Sequence, residues 1–228
     1  IMNKKVISFS LWGNNPKYTI GAIKNAKLAL DIYKGWTCRF HVGKDVPSEI
    51  VDELRSLSNT EVLVKDGDCN WTGMFWRFED AADPSVSVML SRDTDSRLTS
   101  REKAAVDEWL ESNKSFHIMR DHPGHCTQIM GGMWGVKHPK LANIVEMISS
   151  YQKGDFWQVD QNFLARMVYP LIQDDSFVHD EYHNFDAHAR PFPTPRLPGM
   201  LEGYPDQPLD YIGKALKADD SLCWGDGR

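Results

Sequence analysis

Two carboxylates, Asp93 and Asp95, stand at D-x-D spacing directly after an apolar run over 86–91, and arginines flank them at Arg92 and Arg97. In an extended or turning segment, residues i and i+2 project the same way, so both carboxylates can converge on one point. Two hard oxygen ligands suit Mn²⁺ or Mg²⁺, ions that bind through a few carboxylates and complete their shell with phosphate oxygens. The guanidinium groups suit the same phosphates, which arginine meets in bidentate fashion. The pattern implies a metal-chelated diphosphate. The plain alternative is a turn whose acids pair with surface arginines. D-x-D alone is common, and its position behind a strand is what favours chemistry.

Two other uses of this acidic spacing make demands on the residues around it. An EF-hand loop starting at Asp93 requires Gly at its sixth position and Glu at its twelfth; Leu98 and Ala104 stand there, which excludes it. A phosphatase of the haloacid-dehalogenase type has hhhhDxDx[TV], with the first Asp as nucleophile. Arg97 fills the last position here, and that reading stays as an alternative.

The elements that must position these residues follow from hydrophobic periodicity. Apolar runs at 6–11, 38–43, 61–65, 86–91 and 115–119 read as strands. Helical patterns fall at 18–33, at 47–57 behind Pro47, and at 73–82. Thr99 and Glu102 form a capping box for a helix over 100–112. Strand and helix alternate through the first half, which implies a mostly parallel sheet with helices on both faces. Such sheets bind ligands beyond the carboxyl ends of their strands. Helices are expected again at 141–152 and 160–169. Between 184 and 208 stand six of the twelve prolines, the composition of a wrap or flap rather than a second core. The chain is therefore read as one domain over 1–228: a nucleotide-binding half to 125, a sugar and acceptor half over 126–183, and a Pro-rich extension from 184.

Composition narrows the class. The 228 residues are 41% hydrophobic and 25% charged, as in ordinary globular proteins. A formal net charge of −6 argues against a general nucleic-acid binder. No apolar run reaches the roughly 18 residues of a membrane helix. The start of the chain carries no signal-type apolar region, and Ile1 ahead of Met2 reads as an appended residue. Cys38, Cys69, Cys126 and Cys223 form no C-x-x-C pair and read as reduced thiols, hence a cytoplasmic location.

With these segments in place the chain resembles the GT-A glycosyltransferases, Rossmann-like enzymes that use nucleotide-sugar donors; glycogenin-like and microbial or viral capsular-type members are the nearest in pattern. The likeness spans about residues 5–180 and is carried by VISFSLWG (6–13), by MFWRFEDAADPSVSVMLSRDTDSR (74–97), by GGMWG (131–135) and by VDQNFL (159–164). It implies Asp93 and Asp95 as metal ligands, with His179 of FVHDEYH as third ligand and His183 as the second choice. It implies donor contacts from Arg77, Arg92 and Arg97, and a sugar pocket shaped by Gly131, Gly132 and Trp134. Asp160 and Gln161 match the D-Q pair beside the sugar. The late H-x-x-G-x-x-K-P-W signature of many members is absent. The donor nucleotide expected is UDP and the acceptor a glycan or other hydroxyl compound; glycogenin-like relatives lean to retention of configuration.

Several residues carry two readings. Asp121, after the fifth strand, is either a base or sugar ligand, or part of the turn made by Pro123 and Gly124. Asp160 is either a sugar contact and candidate base, or a helix cap. Trp134 and Trp12 are either stacking platforms, for sugar and for nucleoside, or core. His125 reads as structural. A non-catalytic nucleotide-sugar-binding module remains the other alternative.

Overall fold

The computed structural model describes residues 3–152 and 154–223; Ile1, and residues 224–228 of the expected extension, lie outside the described residues. The first apolar run becomes β1 (Lys4–Leu11), buried from Val6 to its end. α1 (Pro16–Ile32) starts with Pro in its first turn, and the Asn15 side chain caps it by accepting from the Lys17 N–H. β2 (Thr37–Gly43), α2 (Ser48–Ser56) and β3 (Thr60–Lys65) continue the alternation.

The helix expected at 73–82 is a 3-10 segment, Trp71–Ala82. Its tighter winding eclipses side chains three apart. Phe75 and Phe78 meet edge to face at 6.0 Å. On the β1 side, the Ser8 hydroxyl faces both the Arg77 carbonyl (2.7 Å) and Asp80 Oδ2 (2.6 Å).

β4 (Val86–Ser91) leads to α3 (Ser100–Glu111), whose capping box of Thr99 and Glu102 is fully formed. β5 (Phe116–Arg120) follows, then β6 (Trp134–Lys137), a strand inside what reads in sequence as a Gly-rich turn. α4 (Ile144–Ser150) and α5 (Val159–Phe163) come next. The helix expected over 160–169 widens into a π turn at Leu164–Val168 and resumes as α6 (Tyr169–Ile172). Pro170 supplies no N–H for the regular ladder, which accounts for the widening. β7 (Ser176–Asp180) and a hairpin of β8 (Met200–Leu201) and β9 (Tyr204–Pro208) complete the elements.

The seven-stranded sheet runs β3-β2-β1-β4-β6-β5-β7. β6 is antiparallel to both neighbours and every other pair is parallel. Apolar layers cover both faces. Val6, Phe78, Met89, Trp134 and Phe163 pack on one side, and Ile7, Phe9, Phe40, Leu90 and Trp109 on the other. Each such side chain contributes roughly 1.5–3 kcal/mol on full burial. The result is a Rossmann-like α/β fold with a mostly parallel sheet. Among the described residues no helix is long and apolar enough to cross a membrane, and all four cysteines are free.

Candidate functional site

A cleft of about 760 Å³ opens at the carboxyl ends of β1 and β4. Its walls include Ser10 and Trp12 from the end of β1, Arg77 from the 3-10 segment, Asp93 and Asp95 behind β4, and Asp160 on α5. The D-x-D loop is clamped by backbone bonds. Asn25 Nδ2 donates to the Ser96 carbonyl (2.7 Å), and the Leu98 N–H donates to Asn25 Oδ1 (2.9 Å). Gly21 of α1 lies directly on the Thr94 carbonyl, where a Cβ would collide. From the far end of the chain, the Leu216 N–H donates to the Asp95 carbonyl (2.7 Å).

Arg77 organises the floor. It is 2% exposed and pairs with Asp93 through Nη1 and with Asp160 Oδ2 through Nη2, the latter at 2.9 Å. Nη1 also donates to the Arg92 carbonyl (2.9 Å). Burial opposes its charge, but Asp93 and Asp160 outweigh burial and hold the guanidinium pKa above its usual value. Gly131 and Gly132 close the floor behind the acids. A Cβ on Gly131 would strike Asp160 and Arg77, and one on Gly132 would strike the Asp93 carboxylate. The Ser91 hydroxyl donates to the Gly131 carbonyl (2.6 Å), and Gln161 Oε1 accepts from the Gly131 N–H (3.3 Å). Asp160 Oδ1 is buried without a hydrogen-bond partner among the described residues.

The carboxylates are electrostatically crowded. Burial raises the pKa of Asp95, and the neighbouring Asp93 charge raises it further, while Lys17 opposes both. Burial likewise raises Asp160 against the pull of Arg77. Lys17 Nζ sits 3.1 Å from Asp95 Oδ2. Asp93, Asp95 and Asp160 thus face Arg77 and Lys17, and the floor carries an excess of one negative charge. Asp93 and Asp95 offer hard oxygens on one cleft wall, a donor set that fits Mn²⁺ or Mg²⁺. Among the described residues, no group of three or more His, Cys, Asp or Glu is placed to hold a metal. The rest of an ion's shell would fall to phosphate and water, as is usual for these ions.

The structure brings Trp12, Arg77, Asp93, Asp95, Gly132, Asp160 and Gln161 to the cleft walls, with Gly131 just behind. Five expectations need correction. Arg92, just past β4, is buried away from the cleft walls, with Nε on Glu102 (2.7 Å) and Nη1 on the Ser91 and Trp134 carbonyls. Arg97 turns to the C-terminal segment, pairing with Asp220 (3.0 Å) and donating to the Lys217 carbonyl (3.1 Å). Trp134 is fully buried in β6, edge-on to Phe78 at 5.4 Å, and is core. His179 is fully buried with both ring nitrogens engaged, one by His117 and one by Glu108, each at 2.8 Å, so it offers no nitrogen to the D-x-D. Asp121 is fully buried between Arg101 and Arg196 and accepts from the Ile212 N–H (2.9 Å). It anchors the C-terminal segment. His183 is tied by its backbone N–H to Asp180 and stacks on Phe185. His125 accepts the Asp121 N–H (3.0 Å), a structural role.

Sequence reasoning missed Tyr18, Trp71, Trp157 and Gln158, which also face the cleft, and Lys17, which reaches it through Asp95. One signal was present for Lys17 and Tyr18: the Gly13-Asn14-Asn15-Pro16 turn at the carboxyl end of β1 places the next residues where such sheets bind ligands. Gln158 adopts a left-handed backbone, φ 69°. Nothing in its residue type announces that.

No protein-family profile and no curated protein matches the sequence. Solved structures similar in chain path include 4-diphosphocytidyl-2C-methyl-D-erythritol synthase from Anaerococcus prevotii: 13% identity, 82% of this chain and 94% of that one, TM-score 0.45. A Bacillus anthracis protein assigned as a glucose-1-phosphate thymidylyltransferase, in complex with a sucrose, matches at 14% identity over 82% and 91%, TM-score 0.49. The apo structure of the bifunctional glycosyltransferase WbbM matches at 11% identity, covering 77% of this chain and 38% of that one, TM-score 0.44.

Proposed function

We propose that the chain is a divalent-cation-dependent glycosyltransferase that moves a sugar from a nucleotide-diphosphate donor, with UDP as the expected nucleotide, to a glycan or other hydroxyl acceptor. The observation that carries this is the shared floor of Asp93, Asp95, Arg77 and Asp160 under a cleft at the carboxyl edge of the sheet. Asp93 and Asp95 would hold Mn²⁺ or Mg²⁺. When bound, the ion offsets charge on the departing nucleotide diphosphate, a Lewis-acid contribution. Arg77 fixes Asp93 and Asp160 relative to each other, so their oxygens need no reorganisation when a ligand arrives. Gly131 and Gly132 lack the Cβ that would displace Asp160, Arg77 and Asp93, and so let the floor hold its shape beneath a sugar. Asp160 Oδ1 is left to accept a sugar hydroxyl, and Gln161 stands beside it. Trp12 offers an indole face at the nucleoside end.

The phosphohydrolase alternative is less well supported. The Asp93 carboxylate is paired to Arg77 and packed against Gly132 on one side, which suits a held ligand better than a free nucleophile.

Thermal unfolding with nucleotide diphosphates, with Mn²⁺ or with EDTA, tests the reading. A ligand at 100 times its Kd stabilises by about 2.7 kcal/mol, on the order of 5–10 °C for a chain of this size. The expected result is a shift with one nucleotide that disappears in EDTA and in Asp95→Asn. A shift untouched by either would refute the metal assignment. Release of nucleotide diphosphate from the matching nucleotide-sugar separates a transferase from a binding module.

A further inference from the structure

Among the described residues, Lys17 and Arg77 are the cations paired with the D-x-D carboxylates, and Lys17 is the less constrained of the two. Arg77 is pinned by two carboxylates and a carbonyl and is 2% exposed. Among the described residues Lys17 has one carboxylate partner, Asp95, at 3.1 Å, and its side chain is 28% exposed. Its backbone is fixed, because its N–H donates to the Asn15 cap (3.0 Å). The freedom therefore lies in the four-carbon stem, which carries a compact point charge with three donors. The Tyr18 ring, itself on the cleft wall, lies 5.1 Å from Nζ and flanks the ammonium on the cleft side while it pairs with Asp95. A part-exposed pair of this kind adds little to stability. Its position on one of the two D-x-D carboxylates is a matter of ligand binding.

Resting on the metal-ligand reading of Asp93 and Asp95, we propose that Lys17 is a displaceable counter-cation. It neutralises Asp95 in the absence of metal, yields that carboxylate to a divalent ion, and then holds a phosphate oxygen of the donor. Charge balance supports the sequence of events. The floor carries one net negative charge; a divalent ion turns that into one net positive charge, and the freed ammonium is then drawn to a diphosphate. Lys17 thereby opposes metal binding alone and favours metal and nucleotide together, which is a coupling between two ligands at one site.

The test is calorimetric titration of the intact chain with Mn²⁺ alone, then with UDP at saturating Mn²⁺. Lys17→Met should bind Mn²⁺ alone about two- to five-fold more tightly, the fold-change of losing a part-exposed ion pair. It should bind UDP with Mn²⁺ about ten-fold more weakly, the loss of one charge-assisted bond to phosphate. Lys17→Arg should restore UDP affinity. Unchanged or weaker Mn²⁺ binding in Lys17→Met, or unchanged UDP binding, overturns the proposal while leaving the metal site standing. A wild-type protein with no Asp95-dependent Mn²⁺ binding overturns both.

Discussion

Replacing Arg77 by Met would remove the cation that holds the cleft floor together, and the size of the effect follows from where its partners sit. Asp160 is 1% exposed and would be left as a buried carboxylate without a cation. Breaking such a pair costs about 3–5 kcal/mol. The Asp93 side chain is 35% exposed, and its share is held to about 1 kcal/mol by water. The melting temperature should fall on the order of 10 °C, at roughly 2–4 °C per kcal/mol for a chain of this size. Adding Asp160→Asn removes the orphaned charge, so the double variant should recover at least half of the loss. The coupling from the cycle should be about 2 kcal/mol or more. A sign in pH goes with it. Asp160 already has a raised pKa from burial, and losing Arg77 raises it further. A carboxylate whose folded pKa lies above its unfolded value destabilises as pH rises through the folded pKa. The Arg77→Met deficit should therefore shrink from pH 8 to pH 5. Urea unfolding followed by tryptophan fluorescence measures all three proteins. A single-variant loss below about 1 kcal/mol, or two variants that simply add, would refute the account of the floor.

Gly132→Ala should fold but misplace the Asp93 carboxylate, lowering turnover about a hundred-fold, as misplacements near 1 Å do; nucleotide-diphosphate release and a circular dichroism melt give the two readouts. The His125 pKa is pushed down to about 4, chiefly by burial and then by the neighbouring His122. Its folded value lies below its unfolded one, so stability present above about pH 6.5 is lost as pH falls toward 4, at about 1.4 kcal/mol per pH unit; His125→Asn should flatten that slope in urea midpoints between pH 7 and pH 5. Asp121→Ala leaves Arg101, Arg196 and the Ile212 N–H without their shared acceptor. Hydrogen exchange should speed up across 210–216 with β1 unaffected, and unchanged protection there would show that the anchor lies elsewhere.

The alternation of β1 through β5 was legible because each strand is a short apolar run bounded by polar turns, and the Thr99–Glu102 box is a local signal with local geometry. β6 was not, because four residues beside two glycines carry too little periodicity to separate a strand from a turn. β7 was passed over because its His179 and Asp180 are polar residues buried by tertiary contacts. The same limit governs the site. Arg92 stands beside Asp93 and is the residue type that meets phosphate, and only Glu102 and the Trp134 carbonyl, brought in by the fold, draw its side chain away from the cleft. Asp121 and His179 have side chains suited to chemistry, and only the arrival of Arg101, Arg196, His117 and Glu108 from distant parts of the chain uses up their capacity. Lys17 escaped notice for the converse reason: the partner that gives it a place at the site, Asp95, lies far along the chain.

The bond from the Leu216 N–H to the Asp95 carbonyl ties the D-x-D loop to a segment made much later in synthesis. Domains tend to take shape from the N-terminal side as the chain emerges. By the time β7 is out, the whole sheet can pair, and the acids of the loop can stand in place. The loop's last backbone partner is then still inside the ribosome. A nascent chain would own an assembled sheet before it owned an assembled cleft, and a donor could be gripped properly only after the Asp121 anchor had drawn the strap across. Arrest of translation between these two points would yield a folded but inert product, so competence in this protein is acquired only once the segment around Leu216 has emerged.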